Sequence, residues 1–256
     1  MMKRILFATD LDNTLLFSHR HRQPGDRCAE LWNGAEQGFF TPETVDLLPQ
    51  AARQVRLLPI TTRSIAQYQR IRWPEGALPR EALTANGAVL LRDGAIDRDW
   101  YDQSWELVRA HQGALRDLLE RISAREDVTS ARIVENMYVY AACSDVAAAE
   151  RCAAAWAQDA PFQMEVSGRK VYWFPPGIDK GTALRRAAGR YRPERILCAG
   201  DSVIDVPMLR RADLALLPGP ELLPQLPGAR VCGPGQRFPD FVLSSVLRDT
   251  AGPART

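Results

Sequence analysis

Two aspartates, Asp10 and Asp12, follow a short apolar run and are placed to do chemistry. The run, residues 5–8, is typical of a strand buried on both faces. Residues i and i+2 of an extended chain face the same side, so both carboxylates would leave the strand together. At about 4 Å and an effective dielectric of about 20, they repel by about 4 kcal/mol. An acidic loop is the alternative, but the pattern favours a bound cation or one carboxyl group that works protonated.

Three further polar sites follow predicted strands or begin predicted helices. Thr61 directly follows the strand predicted over residues 55–60. Lys180 lies at the start of a predicted helix that runs to residue 191. Asp201 and Asp205 follow the strand predicted over residues 195–199. Taken singly, each of these residues could have a purely structural role, as a helix cap or as a solvated surface residue. Because the carboxyl ends of parallel strands meet at one sheet edge, we expect Thr61 beside Asp10 there.

The segment between the first two strands contains a hairpin and a helix. Asn33-Gly34 between apolar runs predicts the hairpin, which is either a flap over the carboxylates or an edge decoration. Thr41-Pro42-Glu43 predicts the start of the helix, and Pro49 predicts a kink or an early end.

The middle of the chain reads as a separate α/β unit. We predict one helix carrying apolar residues from Trp105 to Ile122, one strand over residues 132–142, a helix capped by Asp145 and a hairpin turning at Ser167-Gly168. Strand–helix alternation resumes after Pro175-Pro176-Gly177. The sequence therefore predicts an α/β fold: a Rossmann-like doubly wound parallel sheet core, residues 1–84 and 176–256, with an inserted smaller α/β cap domain, residues 85–175.

Composition excludes several classes of protein. With 33 basic and 31 acidic residues the net charge is +2, which gives no electrostatic case for nucleic acid or a membrane surface. No apolar run approaches the roughly 20 residues of a membrane span, and the first one is too short for a signal peptide. The five cysteines lack metal-site spacing, so we expect reduced thiols in a cytoplasmic protein.

As a set, these motifs resemble the haloacid dehalogenase superfamily of phosphatases and phosphotransferases. The matching residues are Asp10-Leu11-Asp12-Asn13-Thr14, Thr61, Lys180 and Gly200-Asp201-Ser202-Val203-Ile204-Asp205. The insert position, with Thr61-Thr62-Arg63 and Asn86-Gly87-Ala88, resembles the large-cap branch that includes sucrose-phosphate, mannosyl-phosphoglycerate and trehalose-phosphate phosphatases. Residues 30–63 are also similar to a bacterial subgroup found near tellurite-resistance genes.

The resemblance implies a Mg²⁺-dependent phosphatase for a small phosphorylated metabolite such as a sugar phosphate. Asp10 would attack phosphorus and form an aspartyl-phosphate, and Asp12 would act as general acid and then base, which requires a raised pKa. Mg²⁺ would bind Asp10, the Asp12 carbonyl and Asp201, with Asp205 directly bound or one shell out. Thr61 and Lys180 would hold the phosphoryl oxygens. Substrate contacts would come from Asn13, Thr62, Arg63 and Asn86. The cap residues Arg169, Lys170 and Tyr172 are either further contacts or surface residues of a hairpin.

Two departures from the family pattern bear on activity. Ile204 stands where many relatives have Asn, and Thr62 stands where they have Gly, so metal affinity and substrate range are open to change. The alternatives are a phosphomutase or phosphotransferase on sugar phosphates, and a weakly active regulatory protein that binds a phosphate ligand. The oligomeric state is not indicated by the sequence.

Overall fold

The computed structural model describes residues 4–156 and 161–251. The strands, in chain order, are β1 (Ile5–Thr9), β2 (Phe17–Ser18), β3 (Arg27–Trp32), β4 (Ala35–Phe40), β5 (Arg56–Pro59), β6 (Glu81–Thr84), β7 (Val89–Arg92), β8 (Ala95–Ile96), β9 (Val128–Val134), β10 (Tyr138–Cys143), β11 (Gln163–Ser167), β12 (Lys170–Phe174), β13 (Arg195–Ala199), β14 (Leu214–Leu217) and β15 (Arg230–Val231). The α-helices are α1 (Pro42–Gln54), α2 (Ile65–Gln69), α3 (Arg98–Val108), α4 (Gln112–Ser123), α5 (Val146–Ala154), α6 (Lys180–Tyr191), α7 (Val206–Leu209) and α8 (Phe238–Thr250).

A parallel sheet of five strands forms the centre of the fold, in the order β15-β14-β13-β1-β5. Its central strands are buried on both faces, which is why residues 5–8 read as a continuous apolar run. The Asp10 amide donates to the Ala199 carbonyl at 2.9 Å, and the Ile60 amide donates to the Thr9 carbonyl at 2.8 Å. The loops after β1, β5 and β13 therefore leave the sheet at one edge, as the sequence predicted.

An antiparallel sheet in the order β11-β12-β10-β9 lies in the middle of the chain. One face packs on α4 and α5 through an apolar cluster that includes Val139, Ala141, Val171 and Trp173. The alternation of these residues with tyrosines and basic residues predicts that the opposite face is polar. Two small antiparallel sheets, β2-β4-β3 and β6-β7-β8, complete the fold.

The mixed α/β class and the central parallel sheet confirm the predicted fold. The division of the chain at residues 84/85 and 175/176 stays a prediction. Leu90 and Trp100 share an apolar cluster with Leu6 of β1 and Leu184 of α6, so the first part of the predicted cap packs on the predicted core. Within the described residues, no helix is both long and apolar enough to cross a bilayer.

Three predicted elements were wrong in detail. The early end predicted at Pro49 is wrong, since helix α1 continues to Gln54 with Leu48 and Ala51 buried on the face that packs against α8; the alternative, a kink at Pro49, stays a prediction. The helix predicted from Trp105 to Ile122 is two helices, α3 and α4, joined by a 3-10 turn. The strand predicted over residues 132–142 is the hairpin of β9 and β10, which reverses at Glu135-Asn136 with φ angles of 49° and 65°.

Candidate active site

A buried lysine joins two of the predicted site carboxylates. Lys180 is 1% exposed, and its Nζ atom donates to Asp10 Oδ1 at 2.5 Å and to Asp205 Oδ1 at 2.6 Å. Lys180 is the first residue of α6, which is capped by the Asp179 side chain. A cation at a helix N-terminus opposes the helix dipole, so the two carboxylates have to offset both that and the burial of the ammonium group.

The loop after β13 wraps around the second of these carboxylates. Asp205 Oδ2 accepts from the amides of Asp201 and Ser202, both at 3.1 Å, and from the Ser202 hydroxyl at 3.0 Å. A Cβ atom on Gly200 would lie 2.5 Å from the Asp205 Cβ, so the loop closes only because residue 200 has no side chain. Both oxygens of Asp205 are occupied, and they fix the positions of Lys180 and Asp201.

Negative charge is in excess around Asp10. One carboxylate oxygen from each of Asp10, Asp201 and Asp205 lies within 4.8 Å of the other two. Burial raises the pKa of Asp10 well above its usual range, against the opposing effect of Lys180 and with support from Asp205. Burial, with Asp205, also raises the pKa of Asp201 to about 7. The site therefore has the hard oxygen donors that Mg²⁺ prefers, and one lysine does not balance their charge.

Asp12 is held by an arginine instead of sharing this cluster. Arg63 Nη2 donates to Asp12 Oδ1 at 2.7 Å and Arg63 Nε donates to Oδ2 at 2.9 Å. Burial raises the pKa of Asp12, but Arg63 outweighs it and the net effect lowers that pKa to about 2. The expectation that Asp12 has a raised pKa is therefore wrong for this structure. The reason is a bidentate ion pair between residues 51 positions apart, which stabilises the ionised form.

The hairpin of β3 and β4 supplies a second partner for this arginine. Arg63 Nη1 donates to Glu30 Oε2 at 2.8 Å, and Arg70 Nε donates to Glu30 Oε1 at 2.9 Å. Glu30 is 3% exposed, so the carboxylate shared by these two arginines is buried. Trp32, from the tip of the same hairpin, stacks on Arg70 with 4.4 Å from the guanidinium carbon to the ring centroid. The predicted hairpin is present and lies beside Asp12; its motion as a flap stays a prediction.

Two cavities meet at Asp12. The inner cavity, of about 50 Å³, is lined by Asp10, Asp12, Asn13, Thr62, Ser167, Lys170, Tyr172, Lys180, Asp201, Ser202 and Ile204. The outer cavity, of about 550 Å³, lies between the β3–β4 hairpin and the antiparallel sheet. Its polar and aromatic lining includes Asp12, Glu30, Trp32, Thr62, Arg63, Arg70, Arg132, Tyr138, Tyr140, Lys170 and Tyr172. The outer cavity has the volume of a small-ligand site.

The remaining predicted site residues are not all at these cavities. Asn13 donates to Asp201 Oδ2 at 3.3 Å and lines the inner cavity, and Thr62 lines both cavities. Thr61 is fully buried behind them, where its hydroxyl accepts from the Arg63 amide at 3.2 Å. Asn86 is also buried; it donates to the Ile178 carbonyl at 3.2 Å and lines neither cavity.

Sequence reasoning missed several cavity residues on the antiparallel sheet. Tyr138, Tyr140 and Arg132 line the outer cavity, and the Tyr138 hydroxyl donates to the Thr62 carbonyl at 2.5 Å. The alternation of tyrosines at positions 138, 140 and 172 with apolar neighbours is a signal that could have found them. Among the cap candidates, Lys170 and Tyr172 line the cavities, whereas Arg169 donates to the Ser144 carbonyl at 3.3 Å and lines neither.

Solved structures with the same fold are available for comparison, although no protein-family model and no curated protein matches the sequence. The sucrose-phosphatase of Synechocystis, crystallised with sucrose and phosphate, is 17% identical with a TM-score of 0.59 over 97% of this chain and 98% of its own. A phosphatase of the haloalkanoate (HAD) enzyme superfamily from Bacteroides thetaiotaomicron is 17% identical with a TM-score of 0.59 over 98% and 96%. A protein of Thermoplasma acidophilum is 14% identical with a TM-score of 0.66 over 98% and 99%. The likeness extends over nearly the whole chain and establishes the fold.

Proposed function

We propose that this chain, which has the fold of the haloacid dehalogenase phosphatases, is a Mg²⁺-dependent phosphatase that acts through an aspartyl-phosphate. One observation carries the proposal. The carboxylates of Asp10 and Asp201 and the ammonium group of Lys180 meet in a small cavity that joins a larger one at Asp12. The small cavity suits a phosphoryl group and the larger one suits its leaving group.

Asp10 is the proposed nucleophile. Lys180 occupies its Oδ1 atom, which leaves Oδ2 to attack phosphorus. The bond from Oδ2 to phosphorus forms as the bond from phosphorus to the leaving oxygen breaks, and water then displaces Asp10 from phosphorus. Lys180, which is 1% exposed, counters the charge on the phosphoryl oxygens as it develops.

Asp12 is the proposed acid and base of the two steps. As a carboxylate paired with Arg63, it is ready to take a proton from the attacking water. To donate a proton to the leaving oxygen it must first be protonated, and that requires Arg63 to move away. Glu30 already accepts from Arg63 at 2.8 Å, so it remains a partner for the guanidinium group when Arg63 moves away from Asp12.

The donor set fits magnesium. Asp10, the Asp12 carbonyl and Asp201 would hold the ion, and Asp205 would act one shell out because its oxygens are occupied. Bound Mg²⁺ would neutralise carboxylate charge and polarise the phosphoryl group. The raised pKa values of Asp10 and Asp201 are the physical sign that the site needs this positive charge.

A phosphorylated metabolite of sugar size fits the outer cavity. Asn13, Thr62 and Arg63 are proposed to contact it, whereas Thr61 and Asn86 would act by shaping the loops. The crystallisation of the Synechocystis relative with sucrose and phosphate supports a sugar phosphate. Thr62 lines both cavities, so its side chain narrows the passage that a glycine would leave open.

The test is phosphate release from a panel of phosphate esters, with Mg²⁺ and with a chelator. We expect turnover that depends on Mg²⁺ and falls by about a thousandfold or more in Asp10→Asn. The matched control is Asp117→Asn, an exposed aspartate on α4, which should keep wild-type activity. Wild-type phosphate release by Asp10→Asn would refute the covalent route. Transfer of phosphate to a second sugar, with little free phosphate, would indicate the phosphotransferase alternative.

The Arg63–Asp12 pair favours a second candidate function. A carboxylate held by a bidentate arginine cannot supply the proton that the first step needs. If no ester displaced Arg63, the protein would bind phosphate ligands with little turnover. Tight binding of phosphate esters in calorimetry, with no turnover across the panel, would support this regulatory alternative.

A further inference from the structure

We propose that the physiological substrate carries a second anionic group on its leaving group, and that Arg132 and Lys170 bind it in the outer cavity. This inference rests on the proposed function and adds the class of substrate. It follows from the charges that remain unpaired on the cavity wall.

The wall that carries these two cations is the polar face of the antiparallel sheet. Side chains alternate along each strand, so Val139 and Val171 enter the apolar cluster under α4 and α5 while their neighbours face the cavity. Arg132, Tyr140 and Tyr172 are directly opposite one another on three adjacent strands. Lys170 lies two residues before Tyr172 and on the same face.

The charges lining the outer cavity do not balance. Four cations and two carboxylates line it: Arg63, Arg70, Arg132, Lys170, Asp12 and Glu30. Both carboxylates are already engaged, Asp12 by Arg63 and Glu30 by Arg63 and Arg70. Positive charge therefore remains on the opposite wall.

Arg132 and Lys170 make no ion pair with another described residue. The guanidinium carbon of Arg132 lies 4.7 Å from the centroid of the Tyr140 ring, and both basic side chains are exposed to solvent. Tyr172 and Asp12 raise the pKa of Lys170, so its amine is charged at neutral pH. Two accessible cations beside aromatic rings form a ready site for a carboxylate or a phosphate.

Position distinguishes this second anion from the phosphoryl group that is transferred. Lys170 lines both cavities, whereas Arg132 lines only the outer one. The second anion therefore lies on the leaving group, beyond the first carbons from the ester oxygen.

The experiment compares three esters that share one carbon chain. Glucitol 6-phosphate carries one anionic group, 6-phosphogluconate adds a carboxylate, and glucitol 1,6-bisphosphate adds a phosphate. We expect kcat/KM for at least one of the two doubly anionic esters to exceed that for glucitol 6-phosphate by about tenfold to a hundredfold. The preferred ester identifies the second anion.

Variants assign the preference to the two cations. The ratio to follow is kcat/KM for the preferred doubly anionic ester divided by kcat/KM for glucitol 6-phosphate. Arg132→Gln and Lys170→Gln should each reduce this ratio to within about threefold of unity, mainly through KM. Arg132→Lys, which keeps the charge, should restore most of the ratio. Arg169→Gln is the matched control and should keep the wild-type ratio, because Arg169 donates to Ser144 outside the cavity.

The outcomes separate this inference from the proposed function. Hydrolysis of p-nitrophenyl phosphate reports phosphatase chemistry without a second anion, and its absence would count against the proposed function. If that ester is hydrolysed normally but kcat/KM is the same for all three sugar esters, the inference of a second anion is overturned and the proposed function stands. A preference that survives Arg132→Gln and Lys170→Gln together would also overturn it.

Discussion

Replacing Lys180 with methionine tests how the buried charges are balanced. The substitution keeps the length of the side chain and removes two charge-assisted hydrogen bonds, of 2.5 Å to Asp10 and 2.6 Å to Asp205. Each such bond contributes about 1.5–3 kcal/mol. Removing one partner of a buried ion pair typically costs about 3–5 kcal/mol. We therefore expect Lys180→Met to lower the free energy of unfolding by about 3–5 kcal/mol at neutral pH.

The loss should depend on pH with a definite sign. Burial already raises the pKa of Asp10, and Lys180 opposes that effect, so its removal raises this pKa further. A raised folded-state pKa contributes stability that is present below the unfolded pKa and is lost as pH rises through the folded one. The difference between wild type and Lys180→Met should therefore be smaller at about pH 4, where the loss of the bond to Asp205 remains, and grow toward neutral pH.

Urea unfolding followed by tryptophan fluorescence, without divalent metal, measures this difference. Lys170→Met is the matched control: its lysine is exposed and makes no ion pair within the described residues, so we expect a change within about 0.5 kcal/mol. The double variant Asp10→Asn/Lys180→Met should be more stable than Lys180→Met alone, since it lacks the uncompensated carboxylate. A loss below about 1 kcal/mol, or one that is equal at both pH values, would refute the reasoning.

Three further predictions concern the loops around the site. Arg63→Gln should raise the pKa of Asp12 from about 2 to at least its ordinary value, as followed by carboxyl carbon NMR; an unchanged titration would contradict the ion-pair explanation. Because the pKa of Asp201 is about 7 and that of Asp10 is also raised, Mg²⁺ should bind more tightly and raise the melting temperature more at about pH 8 than at about pH 5.5, and Asp201→Asn should weaken this pH dependence. Gly200→Ala should weaken Mg²⁺ binding and lower the melting temperature, since its Cβ would lie 2.5 Å from a neighbouring side chain; Gly189→Ala, with open space around it, is the control that should do neither.

The parts of the site that follow from local sequence patterns could be predicted. Asp10, Asp201 and the β5 end lie at one sheet edge because each follows an apolar strand of the same parallel sheet. Lys180 begins α6 directly after the aspartate that caps this helix, and the cap and the lysine both lie within four residues of sequence. These patterns depend on strand period and helix capping, which neighbouring residues determine.

The parts that depend on long-range contacts could not be predicted. Nothing near Asp12 in sequence indicates that Arg63 binds it, and this contact reverses the expected direction of its pKa shift. Asn86 looked like a substrate contact, but a left-handed turn with φ of 58° directs it into the interior. The β9–β10 reversal at Glu135-Asn136 was missed because it uses two positive φ angles without a glycine.

The most direct test of the central claim is to locate the phosphoryl group on the protein. Protein incubated with acetyl phosphate and Mg²⁺, quenched in acid and examined by mass spectrometry should gain one phosphoryl group, and peptide mapping should place it on Asp10. Asp12→Asn should accumulate more of this species, because its water-activating carboxylate is gone. A phosphoryl group on another residue, or continued turnover in Asp10→Asn with no phosphorylated protein, would contradict the account.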